Sequence, residues 1–147
     1  MEPLMRSASP WLAVGLVLML SGGVFATAMP AAAAEFPRQT FRGGNAGWGV
    51  VIGANKAGSL RYNLVAPARV GVSFGALSVV AKPRIGQYAL QGPLTSGDRQ
   101  DELIVMIAPA AAGAPCRDSA GRTHPYAVIA NGGRAGAWYG CGDFGAD

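Results

Sequence analysis

The chain is poor in the residues that build metal centres. Its 147 residues include one histidine and two cysteines. A structural zinc site needs four closely grouped Cys or His ligands, so His124 with the well-separated Cys116 and Cys141 predicts neither a metal site nor a cofactor. Lysine and arginine residues lie singly along the chain, whereas nucleic-acid surfaces cluster them with aromatic stacking platforms. We therefore expect no nucleic-acid partner.

Helical periodicity is nearly absent after residue 34. Short β-type runs recur instead, separated by glycine, proline or asparagine, and 22 glycines suit tight turns and bulges. The runs lie at residues 48–54, 59–65, 69–74, 76–82, 85–91, 102–108, 125–131 and 134–140. About eight short strands at this spacing predict an all-β fold, either a small antiparallel barrel or a sandwich.

Three of these runs give more detailed expectations. Alternation predicts that Val70, Val72 and Phe74 point into the core. The run 102–108 is apolar on both faces, which predicts a central strand covered on both sides. Asn131, Gly132 and Gly133 predict a tight hairpin, because such residues accept positive φ.

The first 34 residues have the pattern of a secretory signal. A short polar start is followed by an uncharged apolar run at 11–20 and then by small residues. We expect cleavage after Ala34 or, as a second choice, after Ala28; an uncleaved anchor is the remaining alternative. Residues 35–147 then form one β-rich domain, periplasmic or secreted, with no membrane span after cleavage.

Two cysteines in an exported protein of this size usually pair. We therefore expect a disulfide between Cys116 and Cys141 that ties the two ends of the last hairpin. On the chain-entropy model, closing a loop of about 25 residues stabilises the fold by roughly 3.5 kcal/mol.

The residues around His124 include the types used in nucleophilic catalysis, with Asp118 and Ser119 close in sequence. However, Ser119 lies in a polar turn without a Gly-x-Ser-x-Gly elbow, and the following Pro125 favours an extended backbone at His124. Cys116 as a nucleophile would be consumed by the disulfide. We therefore predict turn and strand-entry roles for these residues, and no catalytic residue.

Two further patterns in the sequence do not predict a ligand site: the glycine-rich segments and a small acidic cluster. The glycines of GWGVVIG (47–53) and GANKAGS (53–59) do not open a helix, as nucleotide-binding loops require. Asp98, Asp101 and Glu102 lack the regular ligand spacing of a calcium loop and predict a charged turn.

Three aromatic residues form a possible binding surface: Trp48, Trp138 and Tyr139. Strand alternation places Trp138 and Tyr139 on opposite faces, so one of them points away from the core. Aromatic residues are enriched in interfaces. The alternative is that the outward residue covers a barrel end or packs on the loop 108–115.

Two blocks carry a family resemblance: FRGGNAGW at 41–48, and CRDSAGRTHPYAV at 116–128 followed by YGCG at 139–142. Together they resemble a family of small uncharacterised exported bacterial proteins, with a GN(EP)GW-like block early and a CxD…P…GCG block late. Some members occur beside META-type envelope domains. This chain has only Ala46 where the family has Glu-Pro, and His124 where the family has an aromatic residue. The resemblance implies the disulfide and a β-rich domain, and no activity.

These observations lead to one functional expectation and two alternatives. We expect a non-catalytic binding or interaction module of the cell envelope, whose partner is an unknown envelope component or protein. The first alternative is an inhibitor of a cell-wall hydrolase such as lysozyme. The second is a small hydrolase that uses Ser119 or Cys116 with His124.

Overall fold

The structure, a computed structural model, describes residues 36–145, so the predicted signal segment and its cleavage sites lie outside the described residues. The described part is all-β apart from one 3-10 helix, Gly133–Ala135. Its strands are β1 Thr40–Asn45, β2 Trp48–Ala54, β3 Leu60–Ala66, β4 Gly71–Ala81, β5 Tyr88–Ser96, β6 Arg99–Pro109, β7 Cys116–Arg117, β8 Thr123–His124, β9 Tyr126–Asn131 and β10 Ala137–Gly145.

Eight of the strands form a closed barrel in the order β1-β10-β9-β6-β5-β4-β3-β2. Each strand runs antiparallel to its neighbours, and the pairing of β1 with β10 closes the sheet. The two-residue strands β7 and β8 pair only with each other and form a ribbon inserted between β6 and β9. The all-β prediction is confirmed, and the barrel rather than the sandwich is the observed form.

The barrel interior is filled by alternate residues of each strand. In β2, Trp48, Val50 and Ile52 are buried, as their shared face predicts. In β3 every second residue from Leu60 is buried and the intervening ones are exposed. An eight-stranded barrel is just wide enough for its side chains to fill the inside.

Strand β4 corrects two expectations. The runs 69–74 and 76–82 are not two strands but parts of one, because Gly75 continues the ladder opposite Tyr62. Val72 and Phe74 point outward, 62% and 75% exposed, while Ser73 is buried between them. Ser73 faces inward because its hydroxyl lies 3.0 Å from the Tyr62 hydroxyl and gives that group a hydrogen-bond partner inside the barrel.

Strand β6 and the last hairpin give two further corrections. In β6, Ile104 and Met106 are exposed, so this strand is covered on one face only, as expected of a strand in a single closed sheet. The last hairpin forms, but residues 132–136 make a longer connection with the 3-10 helix, so β10 begins at residue 137 and not at 134. Strand β5 likewise begins three residues later than the run 85–91 indicates.

Four connections lie at the same end of the barrel, which we call the turn rim: residues 46–47, 67–70, 97–98 and 132–136. The ribbon begins at the opposite end and lies along the outer wall. Its tip, residues 118–122, contacts the turn rim through Asn45. The ribbon and the turn rim position the candidate site.

Candidate functional site

A disulfide attaches the ribbon to the barrel wall. Cys116 of β7 is bonded to Cys141 of β10, with the Cα atoms 5.6 Å apart. The predicted pairing is confirmed, but its role is different from the expected one. Cys141 lies in the middle of β10, so the bond fixes the ribbon to the outer wall and does not join the ends of the last hairpin.

The ribbon tip is organised by the Asp118 carboxylate. Its Oδ1 atom accepts hydrogen bonds from the backbone N–H groups of Ala120 and Arg122, both at 2.9 Å. Its Oδ2 atom accepts a 2.8 Å bond from Arg122 Nε. Aspartate commonly closes turns in this way, and the result is a tip with a fixed shape.

The barrel wall contributes the other side of the site. Arg42 of β1 and Asp143 of β10 are opposite each other in the register that closes the barrel. Asn45, at the end of β1, accepts a 2.9 Å hydrogen bond from the backbone N–H of Ser119 and so joins the wall to the ribbon tip. Between ribbon and wall lies a cleft of about 490 Å³. Its polar and aromatic lining includes Arg42, Asn45, Trp48, Ser119, Arg122 and His124.

His124 lies between two carboxylates. Its Nδ1 atom is 2.5 Å from Asp143 Oδ2, and its Nε2 atom is 3.1 Å from Asp118 Oδ2. The histidine side chain is 17% exposed and that of Asp118 is 8% exposed. The hydrogen bond to Asp143, and then that to Asp118, raises the pKa of His124 above its usual 6.5. The bond from His124, helped by Arg122, lowers the pKa of Asp118 to about 2.

This geometry decides what His124 can do chemically. Only the imidazolium form carries an N–H on both ring nitrogens, and both carboxylates accept from it. A general base needs a free nitrogen lone pair within reach of the proton that it removes. Both nitrogens of His124 are occupied, so the arrangement is an ion cluster that holds the ribbon to the wall.

The three predicted aromatic residues do not share one surface. Trp48 and Trp138 are buried at the turn rim with ring centroids 6.3 Å apart, while Tyr139 is 66% exposed on the outer wall. Trp48 still lines the cleft, and its Nε1–H donates to the Tyr139 carbonyl at 3.2 Å. The possible binding surface therefore stays a prediction, and of the three residues only Tyr139 is exposed.

Arg42, Asn45 and Asp143 also belong to the site, although the sequence did not indicate them as candidates. A signal for Asp143 was present: two residues after Cys141, it must share that residue's outward face. His124 pairs with Cys116 in the ribbon, so the disulfide brings His124 and Asp143 together. Nothing local to Arg42 or Asn45 indicated a site.

Asp98 and Asp101, which form an acidic cluster with Glu102 in the sequence, have different surroundings in the structure. Asp101 accepts bonds from both the backbone N–H and the Nε of Arg134, each at 3.2 Å, whereas Asp98 lies exposed in the β5–β6 turn. Within residues 36–145, no group of three or more His, Cys, Asp or Glu is placed to hold a metal ion. The same residues contain no helix of the length and apolarity needed to cross a membrane.

Comparisons with family models, with curated proteins and with solved structures found no match to this chain.

Proposed function

We propose that the protein is an exported, non-catalytic binding module of the cell envelope, and that its ligand binds in the cleft between the ribbon and the barrel wall. The supporting observation is the way this cleft is built. Its two walls are joined by a disulfide, an ion cluster and the Asn45–Ser119 hydrogen bond. Binding costs less when the groups that contact the ligand are already fixed.

The lining favours a polar ligand. Arg42 and Arg122 offer guanidinium donors, Asn45 offers an amide, and Trp48 adds an apolar surface. Small-molecule sites characteristically combine an apolar surface with a few placed polar groups. A hydroxylated or anionic envelope component, such as a glycan or a lipid headgroup, fits this combination.

The hydrolase alternative has little support from the geometry. His124 has no free ring nitrogen, and both cysteines of the chain are in the disulfide. A non-catalytic role is therefore the simpler proposal for this cleft.

The proposal is tested with the purified domain, residues 35–147, against arrays of envelope glycans and lipids and against co-purifying proteins. We expect Asn45→Ala to weaken binding of the ligand found, while the matched variant Asn63→Ala leaves binding unchanged, because Asn63 is exposed on β3 and does not line the cleft. Turnover of a generic ester or peptide that is lost in His124→Ala would overturn the proposal.

Export is tested separately from ligand binding. Fractionation of the producing cell, followed by mass analysis of the mature chain, should find the protein in the periplasm or medium with Glu35 or Met29 at its start. A protein recovered in the cytoplasm with all 147 residues would contradict export.

A second candidate, inhibition of a cell-wall hydrolase such as lysozyme, is favoured by the ribbon tip. Residues 119–122 are exposed, yet the Asp118 turn and the disulfide fix their shape. A rigid exposed tip can enter an enzyme cleft at low entropic cost. A lysozyme activity assay with micromolar protein tests this candidate, and unchanged activity would remove it.

A further inference from the structure

A second recess lies at the turn rim, outside the cleft described above. It has a volume of about 150 Å³ and is lined by three arginines, Arg69, Arg99 and Arg134, together with Ser96, Asp101 and apolar residues. The arginines come from the β3–β4 turn, the start of β6 and the 3-10 helix. Three cations from separate elements therefore face one small space.

Arg69 is held in place by three contacts. Its Nη1 atom donates to the carbonyls of Ala135 and Ala137, at 3.0 and 3.1 Å, and its guanidinium lies 5.5 Å from the centre of the Trp138 ring. Gly136 makes this approach possible, because a Cβ atom there would lie 2.9 Å from Arg69 Nη1. The remaining N–H groups of Arg69 are left for other acceptors.

Arg134 is held by Asp101. The Asp101 Oδ2 atom accepts from both the backbone N–H and the Nε of Arg134, and Oδ1 accepts from the Glu102 N–H at 3.1 Å. A Cβ atom at Gly133 would lie only 2.5 Å from Asp101 Oδ1, so glycine is needed for this contact too. The single carboxylate of the recess is therefore already engaged.

Arg99 completes the recess and is different from the other two. It lies exposed at the start of β6, where its backbone pairs with Ser96, and its side chain makes no hydrogen bond or ion pair with any residue between 36 and 145. The recess thus contains three guanidinium groups and one carboxylate, a surplus of two positive charges. Asp98 lies in the neighbouring turn but does not line the recess.

We propose that this recess is an oxyanion-binding site for a phosphate or carboxylate group of a ligand, with Arg99 and Arg69 as the principal donors. The planar fork of a guanidinium matches two oxygens of either group. The volume also suits such a group with some of its water, since a water molecule occupies about 30 Å³ in the liquid. This site is separate from the ligand-binding cleft and does not depend on the function proposed for that cleft.

The test is an NMR titration of the arginine Nε–H signals of the domain, residues 35–147. Sodium phosphate is one arm, sodium acetate the other, and sodium chloride at equal ionic strength is the reference. We expect saturable shifts of Arg99 and Arg69 with at least one oxyanion and not with chloride. Arg99→Gln should weaken that binding about tenfold, the size of one charge-assisted contact.

Arg61→Gln is the matched control, because Arg61 is an exposed arginine on the outer face of β3 with the same charge. It should leave the affinity within about twofold, since its charge is screened by salt. Equal weakening by Arg61→Gln and Arg99→Gln would reduce the effect to net charge and overturn the proposal. Absence of saturation, or shifts confined to Arg42 and Arg122 of the cleft, would overturn it as well. A preference between the two arms identifies which oxyanion the site takes.

Discussion

At the scale of single residues, His124 changes its role between the sequence and the folded protein. It resembles a catalytic base in the sequence, but in the structure its ring lies between the carboxylates of Asp118 and Asp143. The sequence supplies the types of residue but not the acceptors that each ring nitrogen meets. Those acceptors come from a ribbon turn and from β10, which are brought together only by folding.

A pH dependence follows from the His124 cluster. The pKa of His124 is raised above 6.5 in the folded state, so its stabilising effect is complete below that value and is lost as the pH rises through the folded pKa. The pKa of Asp118 is lowered from 3.8 to about 2, so its effect is complete above 3.8 and is lost as the pH falls towards 2. The cluster therefore stabilises most between about pH 4 and 6.5.

Urea unfolding at pH 5 and pH 9 measures this dependence. We expect the wild-type protein to lose stability between the two values, and His124→Gln to lose less over the same interval. An equal loss in both proteins would show that His124 is not responsible for the lower stability at pH 9.

Ser73 carries a second prediction at this scale. Its hydroxyl contacts the Tyr62 hydroxyl and accepts the Thr95 N–H at 3.2 Å, and the residue is 2% exposed. Ser73→Ala leaves the Thr95 N–H without its acceptor, which should lower the free energy of unfolding by about 1–3 kcal/mol. Ser78→Ala, on the exposed face of the same strand, should change that free energy by less than about 0.5 kcal/mol. Similar effects of the two substitutions in urea unfolding would contradict this account.

At the scale of strands and turns, alternating apolar residues predicted the longer strands, whereas strands with few apolar residues or few residues in total were missed. The bounds of β2 follow from its alternation. Strand β1 was missed because Gly43 and Gly44 remove the apolar signal from its centre. The strands of the ribbon have two residues each, too few for any periodicity. The predicted inward orientation of Val72 and Phe74 was wrong for another reason. Ser73 of β4 faces inward and contacts the Tyr62 hydroxyl of β3, so its neighbours Val72 and Phe74 face outward.

The disulfide gives a prediction for the ribbon as an element. In the double variant Cys116→Ser with Cys141→Ser, the free energy of unfolding should fall by about 2–5 kcal/mol. Amide exchange should increase first at Ala120 and Arg122, whose N–H groups bond to Asp118 in the ribbon tip. The amides of β3, which lies away from the ribbon in the barrel, provide the internal control. Exchange that rises equally in β3 and in the tip would show that the bond supports the whole barrel and not the ribbon in particular.

At the scale of the whole molecule, the sequence predicted a barrel as one of two forms but not which strands close it. Closure pairs β1 with β10, the first and last strands, and no local pattern records that pairing. It also creates the candidate site, because Arg42 of β1 becomes a neighbour of Asp143 and Cys141 of β10 only through this pairing. The fold class was therefore predictable from strand spacing, whereas the site depended on the pairing of β1 with β10, which are far apart in sequence.

The pairing of β1 with β10, which we call the seam, leaves no space for a side chain at Gly140. A Cβ atom there would lie 2.2 Å from the carbonyl oxygen of Gly44 on β1, a backbone atom that cannot move aside without separating the two strands. Gly140→Ala should therefore lower the free energy of unfolding by about 1–3 kcal/mol, as overpacked sites do. Gly49→Ala is the matched control, since the nearest atom to a Cβ there is 3.7 Å away. Because the cleft is built on the seam, Gly140→Ala should also increase amide exchange at Ser119, whose N–H bonds to Asn45. If Gly140→Ala proves as stable as Gly49→Ala in urea, the close approach of β1 and β10 is not what holds the barrel closed.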